Sequence, residues 1–355
     1  MSGAGQRSHG RNGFVHRLLA GAAMAGGAAV WAIAPRLPEN RGRQGVPEVP
    51  QAWYAHRGLH DAGSGLTPRY ASGSAEYVAL ARRMAMQAGY GAAADDDDAP
   101  IAPENSLAAF AGACEAGYGI ELDLQLTADD QVVVVHDPDL RRVAADPRRV
   151  ADLTYDELSA IPLFPGPSVF GDAVASSHDR ALSTTGRAVA TGTLQHVPLF
   201  SDVLALVAGR VPLIVEYKFT DNTRWSDRCE LLMQKGDALL RAYEGPYVVE
   251  SFHPKAMGWY RRHRPEVNRG QLSCRGDLRR EGISVWAAGL LAFDWVSRPD
   301  FIAYDWVGGN DPSVVLARRL GATTVSWTVR SPEELATCAS WFDRHIIEAF
   351  VPPQE

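Results

Sequence analysis

Short apolar runs recur along the chain from residue 53 onward, and most of them end on polar groups. Trp53 to Ala55, the alternating Gly119 to Leu124, the unbroken Gln131 to Val135, Val211 to Val215, Tyr247 to Glu250, Arg269 to Leu272, Phe301 to Tyr304, Thr323 to Trp327 and His345 to Ile347 all read as strands. Helical spacing separates most of them, as in Asp202 to Ala208, Asp227 to Tyr243 and Glu333 to Arg344. The clearest helix carries Leu107, Phe110, Ala111 and Cys114 on one face, with Asn105 or Ser106 as its cap and Gly117 as its left-handed stop. Strands alternating with helices over this length predict a parallel β/α architecture. More strands are predicted than a ring of eight can hold, so one either lies outside it or is not a strand.

The first 50 residues follow a different pattern. Leu18 to Ala34 is an uncharged, Ala- and Gly-rich run of 17 residues preceded by Arg7, Arg11 and Arg17. As a helix it reaches ~25 Å, or a full ~30 Å if Phe14 and Val15 join. The expectation is a membrane anchor at about 14–34. The alternative is a secretory signal ending at Ala32-Ile33-Ala34, although Pro35 disfavours cleavage and Trp31 suits a membrane interface. Arginines flank the run on both sides, Arg36, Arg41 and Arg43 lying beyond it, so charge does not set its orientation. Pro35, Pro38, Pro47 and Pro50 make residues 35–50 read as a tether without regular structure. The expected division is therefore 1–50, anchor and tether, and 51–355, the main domain, with loop insertions at 61–100 and 165–195. The first insertion holds a short helix around Glu76 to Gln87 and an acidic run, Asp95 to Asp98, read as solvated loop.

Composition narrows the class. The 355 residues are 46% hydrophobic and 22% charged, enough for a large core and incompatible with wholesale disorder. A net charge of −7 argues against a nucleic-acid partner. The four cysteines, Cys114, Cys229, Cys274 and Cys338, lack zinc-like spacing and read as isolated thiols.

The candidate chemistry lies where the apolar runs end. His56-Arg57, Glu121 with Asp123, His136-Asp137 and Glu216 with Lys218 each sit at or near such an end. In a parallel barrel the C-terminal strand ends share one rim. Residues two apart point the same way, so Glu121 and Asp123 aim together, away from Leu122 and Leu124. Two convergent acids with a third on another strand, Glu216, suit a hard divalent cation, Mg²⁺ or Ca²⁺. His56 and His136 fit acid/base work near neutrality, and Arg57 and Lys218 supply positive charge for a phosphate. The combination suggests phosphodiester chemistry.

The series His56-Arg57-Gly58, Pro103-Glu104-Asn105-Ser106, Glu121-Leu122-Asp123, His136-Asp137, Glu216-Tyr217-Lys218, Ser251-Phe252 and Trp327-Thr328-Val329 stands in the order seen in glycerophosphodiester phosphodiesterases, which the chain resembles over roughly residues 52–352. The N-terminal apolar run and the phrases around His56 and Phe301 are similar to the membrane-anchored bacterial branch. The resemblance implies a (β/α)8 TIM barrel of the phosphatidylinositol-phospholipase-C-like phosphodiesterase type. It implies a metal held by Glu121, Asp123 and Glu216, an acid/base pair in His56 and His136, and phosphate contacts from Arg57 and Lys218. Glu104 matches an acidic position that either binds the metal or supports the site. Two departures stand out: about forty residues separate the first two motifs where the family often has a short link, and Ile347-Glu348-Ala349 replaces a phrase that commonly carries an aspartate, which leaves Glu348 without an assigned role.

The expected activity is metal-dependent hydrolysis of glycerophosphodiesters to glycerol 3-phosphate and an alcohol, with His56 as base and His136 as acid. A lysophospholipase D acting on membrane lipids is the second enzyme reading, allowed by the anchor, Trp53, Tyr54 and the Leu290 to Phe293 region. A catalytically silent binding barrel is the third, disfavoured because every histidine and acid of the series is present.

Overall fold

The structure, a computed structural model, describes residues 26–63, 73–91, 100–164, 195–220 and 224–353. Nine strands form one sheet: β1 (Trp53–His56), β2 (Gly119–Leu126), β3 (Val132–Val134), β4 (Leu213–Tyr217), β5 (Tyr247–Ser251), β6 (Arg269–Ser273), β7 (Phe301–Asp305), β8 (Thr323–Val329) and β9 (Arg344–Ile347). All except β3 are parallel to their neighbours, and β1 pairs with both β2 and β9, closing an eight-stranded barrel. The Asp95 to Asp98 run and nearly all of the 165–195 insertion lie outside the described residues.

The period-2 pattern of the strands sorts side chains into two cores. On β2 and β4, Ile120, Leu122, Leu124, Leu213, Val215 and Tyr217 face outward and pack with Phe110, Phe200, Met233 and Tyr260 of the surrounding helices. The opposite parity faces the barrel interior, where Tyr54, Ile214, Val248, Phe301, Val325 and Ile346 form an apolar plug. Gly270 makes room for it, because a Cβ there would lie 2.1 Å from the Phe301 ring. One register step further along the strands the inward positions turn acidic, with His56 opposite Glu121, Asp123 opposite Glu216, and Glu216 opposite Glu250. The plug is thus the floor of a polar chamber at the C-terminal rim.

The connection between β1 and β2 uses the capping chemistry expected of it. Ser106 caps the helix Leu107–Ala116 by accepting from the Ala109 amide, and Gly117 ends it at φ 73°. The helix expected within the first insertion forms as Ala75–Gln87, burying Tyr77, Ala81 and Ala85. The helix expected over Glu333 to Arg344 is shorter, Pro332–Cys338. Asp343 turns the chain there by accepting hydrogen bonds from the Thr324 amide and hydroxyl, which frees Arg344 to open β9.

The strand expected in excess of a ring of eight is the run Gln131 to Val135: β3 pairs antiparallel with β2 outside the ring. One expectation needs correction. Residues 35–50 are not an unstructured tether. Pro38–Gln44 is helical, Val49 is buried, and Arg36 makes a buried 3.0 Å ion pair with Asp300. Asn268 donates to the Pro47 carbonyl, and Arg344 donates to those of Val49 and Pro50. Proline at the first helical turn and carbonyls clamped by buried side chains turn the proline-rich stretch into a docked strap. Residues 26–33 are helical, and among the described residues no helix is long and apolar enough to cross a membrane. The rest of the expected anchor, residues 14–25, lies outside the described residues.

Removing one partner of a buried ion pair costs on the order of 3–5 kcal/mol. Deleting residues 1–50 takes Arg36 from Asp300 and should lower unfolding stability in urea by about that much. Deleting residues 1–25 removes none of these contacts and should leave the transition where it is. Equal stability of the two truncations would show that the strap contributes nothing.

Candidate active site

The chamber is built around three carboxylates. Glu121, Asp123 and Glu216 are all buried, and each offers an oxygen within 4.8 Å of the others. Such a set of hard oxygen donors fits a divalent cation. Burial, with Asp123, Glu216 and Glu250 close by, pushes the Glu121 carboxyl well above the usual range. Burial also raises Glu216, to about 7, against the pull of Lys218. Asp123 goes the other way: its burial is overcome by Lys218, His136 and Arg57, so it stays ionised. Lys218 reaches both strands, with Nζ 2.8 Å from Glu216 and 3.3 Å from Asp123.

Arg57 turns into the chamber because the chain leaves β1 in a left-handed bend, φ 58° at Arg57 and 83° at Gly58. A Cβ on Gly58 would lie 2.9 Å from the Ala109 backbone, so the bend against the helix requires glycine there. The Arg57 amide donates to Glu121, its Nη1 to Glu104 at 2.8 Å, and its Nε lies 3.5 Å from Asp123. Asn105, also left-handed at φ 54°, donates its side-chain amide to Asp123 at 2.8 Å. Glu104 is outside the carboxylate triad. Both of its oxygens are taken by arginines, Arg57 and a bidentate Arg142 at 2.5 and 2.6 Å, so it supports the site without facing a cation. Arg57, expected as a phosphate contact, is tied to acids on two sides.

Each histidine is held at Nδ1 by a carboxylate. His56 Nδ1 lies 3.0 Å from Glu348, leaving Nε2 3.9 Å from Glu121. Burial and the neighbouring Arg57 bring its pKa down to about 4 despite Glu348, so it is neutral at pH 7. His136 Nδ1 lies 2.6 Å from Asp137, which Arg142 also grips at 2.6 Å. Burial, Arg57 and Lys218 lower His136, against Asp123 and Asp137. His136 gets there from outside the ring. β2 overshoots the site, β3 returns beside it, and the Val135 amide bonds the Asp123 carbonyl, setting His136 level with the acids. Gln125 fixes the turn by donating to the carbonyls of Val135, His136 and Asp137.

All eight candidate residues thus belong to one chamber. The sequence reading did not find the residues that position them. Glu348 holds His56 and lies within ion-pair distance of His60 and Arg330. Asp137 is legible only as the neighbour of His136. Arg142 carried no signal, since its link to Glu104 spans 38 positions.

A model of the glycerophosphoryl diester phosphodiesterase family matches residues 94–344. A glycerophosphodiester phosphodiesterase of Bacillus altitudinis is 28% identical over 173 residues, 48% of this chain and 61% of its own length. A human lysophospholipase D is 29% identical over 147 residues, 41% of this chain and 39% of its own. The chain therefore spans less than two thirds of these relatives. A phosphodiesterase of Oleispira antarctica, solved in complex with the product sn-glycerol-3-phosphate, shares the fold with a TM-score of 0.55 at 16% identity, over 84% of this chain and 93% of its own.

The Glu348–His56 contact makes a testable statement about pH. Glu348 raises the His56 pKa, so Glu348→Gln should let it fall further, moving the acid limb of kcat/KM to lower pH, not higher. Loss of the orienting carboxylate should also cut turnover by roughly 10- to 100-fold, as for groups that orient metal-site ligands. A slower variant with an unmoved acid limb would leave Glu348 a purely structural role.

Proposed function

Because the chain belongs to the glycerophosphoryl diester phosphodiesterase family, we propose that it hydrolyses glycerophosphodiesters to glycerol 3-phosphate and an alcohol. The observation that carries this reading is the convergence of Glu121, Asp123 and Glu216, with oxygens within 4.8 Å, between two histidines that carboxylates hold at Nδ1. Glu121, Asp123 and Glu216 would hold Mg²⁺ or Ca²⁺. When bound, such a cation polarises phosphoryl oxygens and lowers the pKa of a hydroxyl or water.

The side chains of this protein do the rest. His56 enters the reaction neutral, with Nδ1–H directed at Glu348, and takes the nucleophile's proton at Nε2. The buried Glu348 then balances the imidazolium. His136, oriented by Asp137, gives a proton to the leaving alcohol. Lys218 and Arg57 set positive charge beside the acids, where the phosphate's own charge must be accommodated. Glu104 and Arg142 keep Arg57 and Asp137 in place from one side.

A lysophospholipase D activity is the second reading. Ile283, Trp286 and Leu290 are exposed in and just after the helix Ile283–Gly289, which follows the C-terminal end of β6 on the rim side. An apolar wall there suits an acyl chain. The membrane anchor at about 14–34, with a cleaved signal as its alternative, is carried by the sequence pattern alone.

A general acid or base contributes ~10²–10⁴-fold, so His136→Ala should lower turnover at least a hundredfold with cation affinity unchanged. Its loss should be smaller on a nitrophenyl diester, whose leaving group needs no proton, whereas His56→Ala should stay slow on both substrates. The reverse pattern would exchange the two roles, and loss of cation binding in both variants would make the histidines ligands.

Chelation tests the triad directly. EDTA should abolish hydrolysis and Mg²⁺ or Ca²⁺ restore it, while Asp123→Ala should need far more cation. Full activity after exhaustive chelation would remove the cation from the reading, and a panel of glycerophosphodiesters and lysophospholipids separates the two substrate classes.

A further inference from the structure

The end of the barrel opposite the rim carries a second concentration of charge. Arg36, Arg261, Arg269 and Arg298 line a cleft of about 530 Å³, bounded by Trp31 and Leu37. Arg269 opens β6 and Arg298 lies just before β7, so the cleft sits at the N-terminal strand ends, away from the carboxylate chamber. Backbone carbonyls fix three guanidinium groups in place. Arg261 donates to the carbonyls of Trp295 and Val296, Arg298 to those of Trp31 and Ala34, and Arg269 to those of Ser297 and Arg298.

Carbonyls orient these cations without neutralising them. The buried Asp300 lies behind the lining, bound to Arg36 at 3.0 Å. Burial pushes the neighbouring Asp294 carboxyl well above its usual range despite Arg298. Among the described residues the cleft lining holds four arginines and no carboxylate. Burial, then the charge of Arg261, pulls the Arg298 pKa down, the direction expected of crowded cations. Arg269 is 2% exposed and its Nη1 has no hydrogen-bond partner among the described residues. A buried guanidinium nitrogen that lines a cleft and lacks an acceptor calls for an anion.

The surroundings indicate what presents that anion. Trp31 and Leu37 are 57% and 54% exposed, and Trp31 stacks on the exposed Trp295 at 5.8 Å while Arg298 lies over its ring. Exposed indoles beside clustered arginines form the pairing expected at a lipid headgroup layer. The uncharged run from Leu18 leads directly to Trp31. We propose that this cleft binds the phosphate headgroup of an anionic phospholipid, setting the barrel's N-terminal end against the membrane with the catalytic rim turned away from it.

The test is flotation of the full chain with phosphatidylcholine vesicles and with vesicles in which roughly a fifth of the lipid is phosphatidylglycerol. The chain should prefer the anionic vesicles. At about fivefold per arginine near the surface, Arg261→Ala with Arg298→Ala should reduce that preference about thirtyfold. Replacing both by lysine should retain most of it, and turnover on a soluble glycerophosphodiester should not change. The read-out is a difference between two vesicles, so it does not depend on whether residues 14–34 insert or on the proposed activity. Should the double variant fail to fold, Arg261→Glu alone, at an exposed position, should abolish the preference. A folded variant that keeps the preference, or a full chain that shows none, overturns the proposal. Inorganic phosphate that raises the melting temperature of the full chain but not of the variant, without any vesicle preference, would make this a soluble-phosphate site and overturn the lipid assignment.

Discussion

Three carboxylates packed within 4.8 Å of one another inside a barrel repel strongly, and much of the chamber is arranged to hold them there. Full charges at that separation cost roughly 3–4 kcal/mol per pair at an effective dielectric near 20. The chain meets this repulsion with Lys218 between β2 and β4, the Arg57 guanidinium and amide, and the Asn105 amide. Glu250 lies just beyond the triad, and burial with the nearby Glu216 drives its carboxyl well above the usual range. An arrangement held against its own repulsion is organised for a cation, which relieves it.

The two histidines follow from the same constraint. Burial, with Arg57 beside it, keeps His56 neutral, and a neutral imidazole must be told which nitrogen carries the proton. Glu348 and Asp137 each engage Nδ1, so the free Nε2 of His56 turns toward the triad. Different routes produce the two pairs. His56 ends a barrel strand and meets Glu348 at the end of the neighbouring β9, whereas His136 comes down an external hairpin and meets the residue next to it. Different routes also leave different environments: His56 is shut in by the barrel, while the His136 side chain remains 31% exposed.

What was legible in the sequence follows the range of the interactions. Period-2 alternation in β2 is local, so Glu121 and Asp123 could be read as inward-facing with Leu122 and Leu124 outward. Closure of the ring needs no more than regular alternation of strands and helices. Which strand lies outside the ring was not legible, because an unbroken β-branched stretch looks the same in a barrel strand and in an external hairpin, and Gln125, which fixes the return, gives no periodic signal. Glu348 was left without a role because its partner lies 292 positions away. The strap was misread for a different reason. Prolines suppress regular hydrogen bonding, but carbonyls clamped by Asn268 and Arg344 replace it, and those clamps are not written in the strap itself.

The barrel separates its tasks along its axis. At one end acids outnumber bases around a chamber floored by Tyr54, Ile214 and Phe301; at the other, arginines gather under the strap. The apolar plug between them keeps the two sets of charge from neutralising each other, because salt bridges across it would need side chains to cross a packed interior. The strap ties both ends together: it begins on Arg298 and Asp300 before β7 and runs by way of Val49 into β1, whose last residue is His56. The strap is held below the plug by the Arg36–Asp300 ion pair and the carbonyl clamps, and the short path from Val49 to His56 lies in the barrel wall. Chemistry at the rim can then proceed on a frame held at its other end.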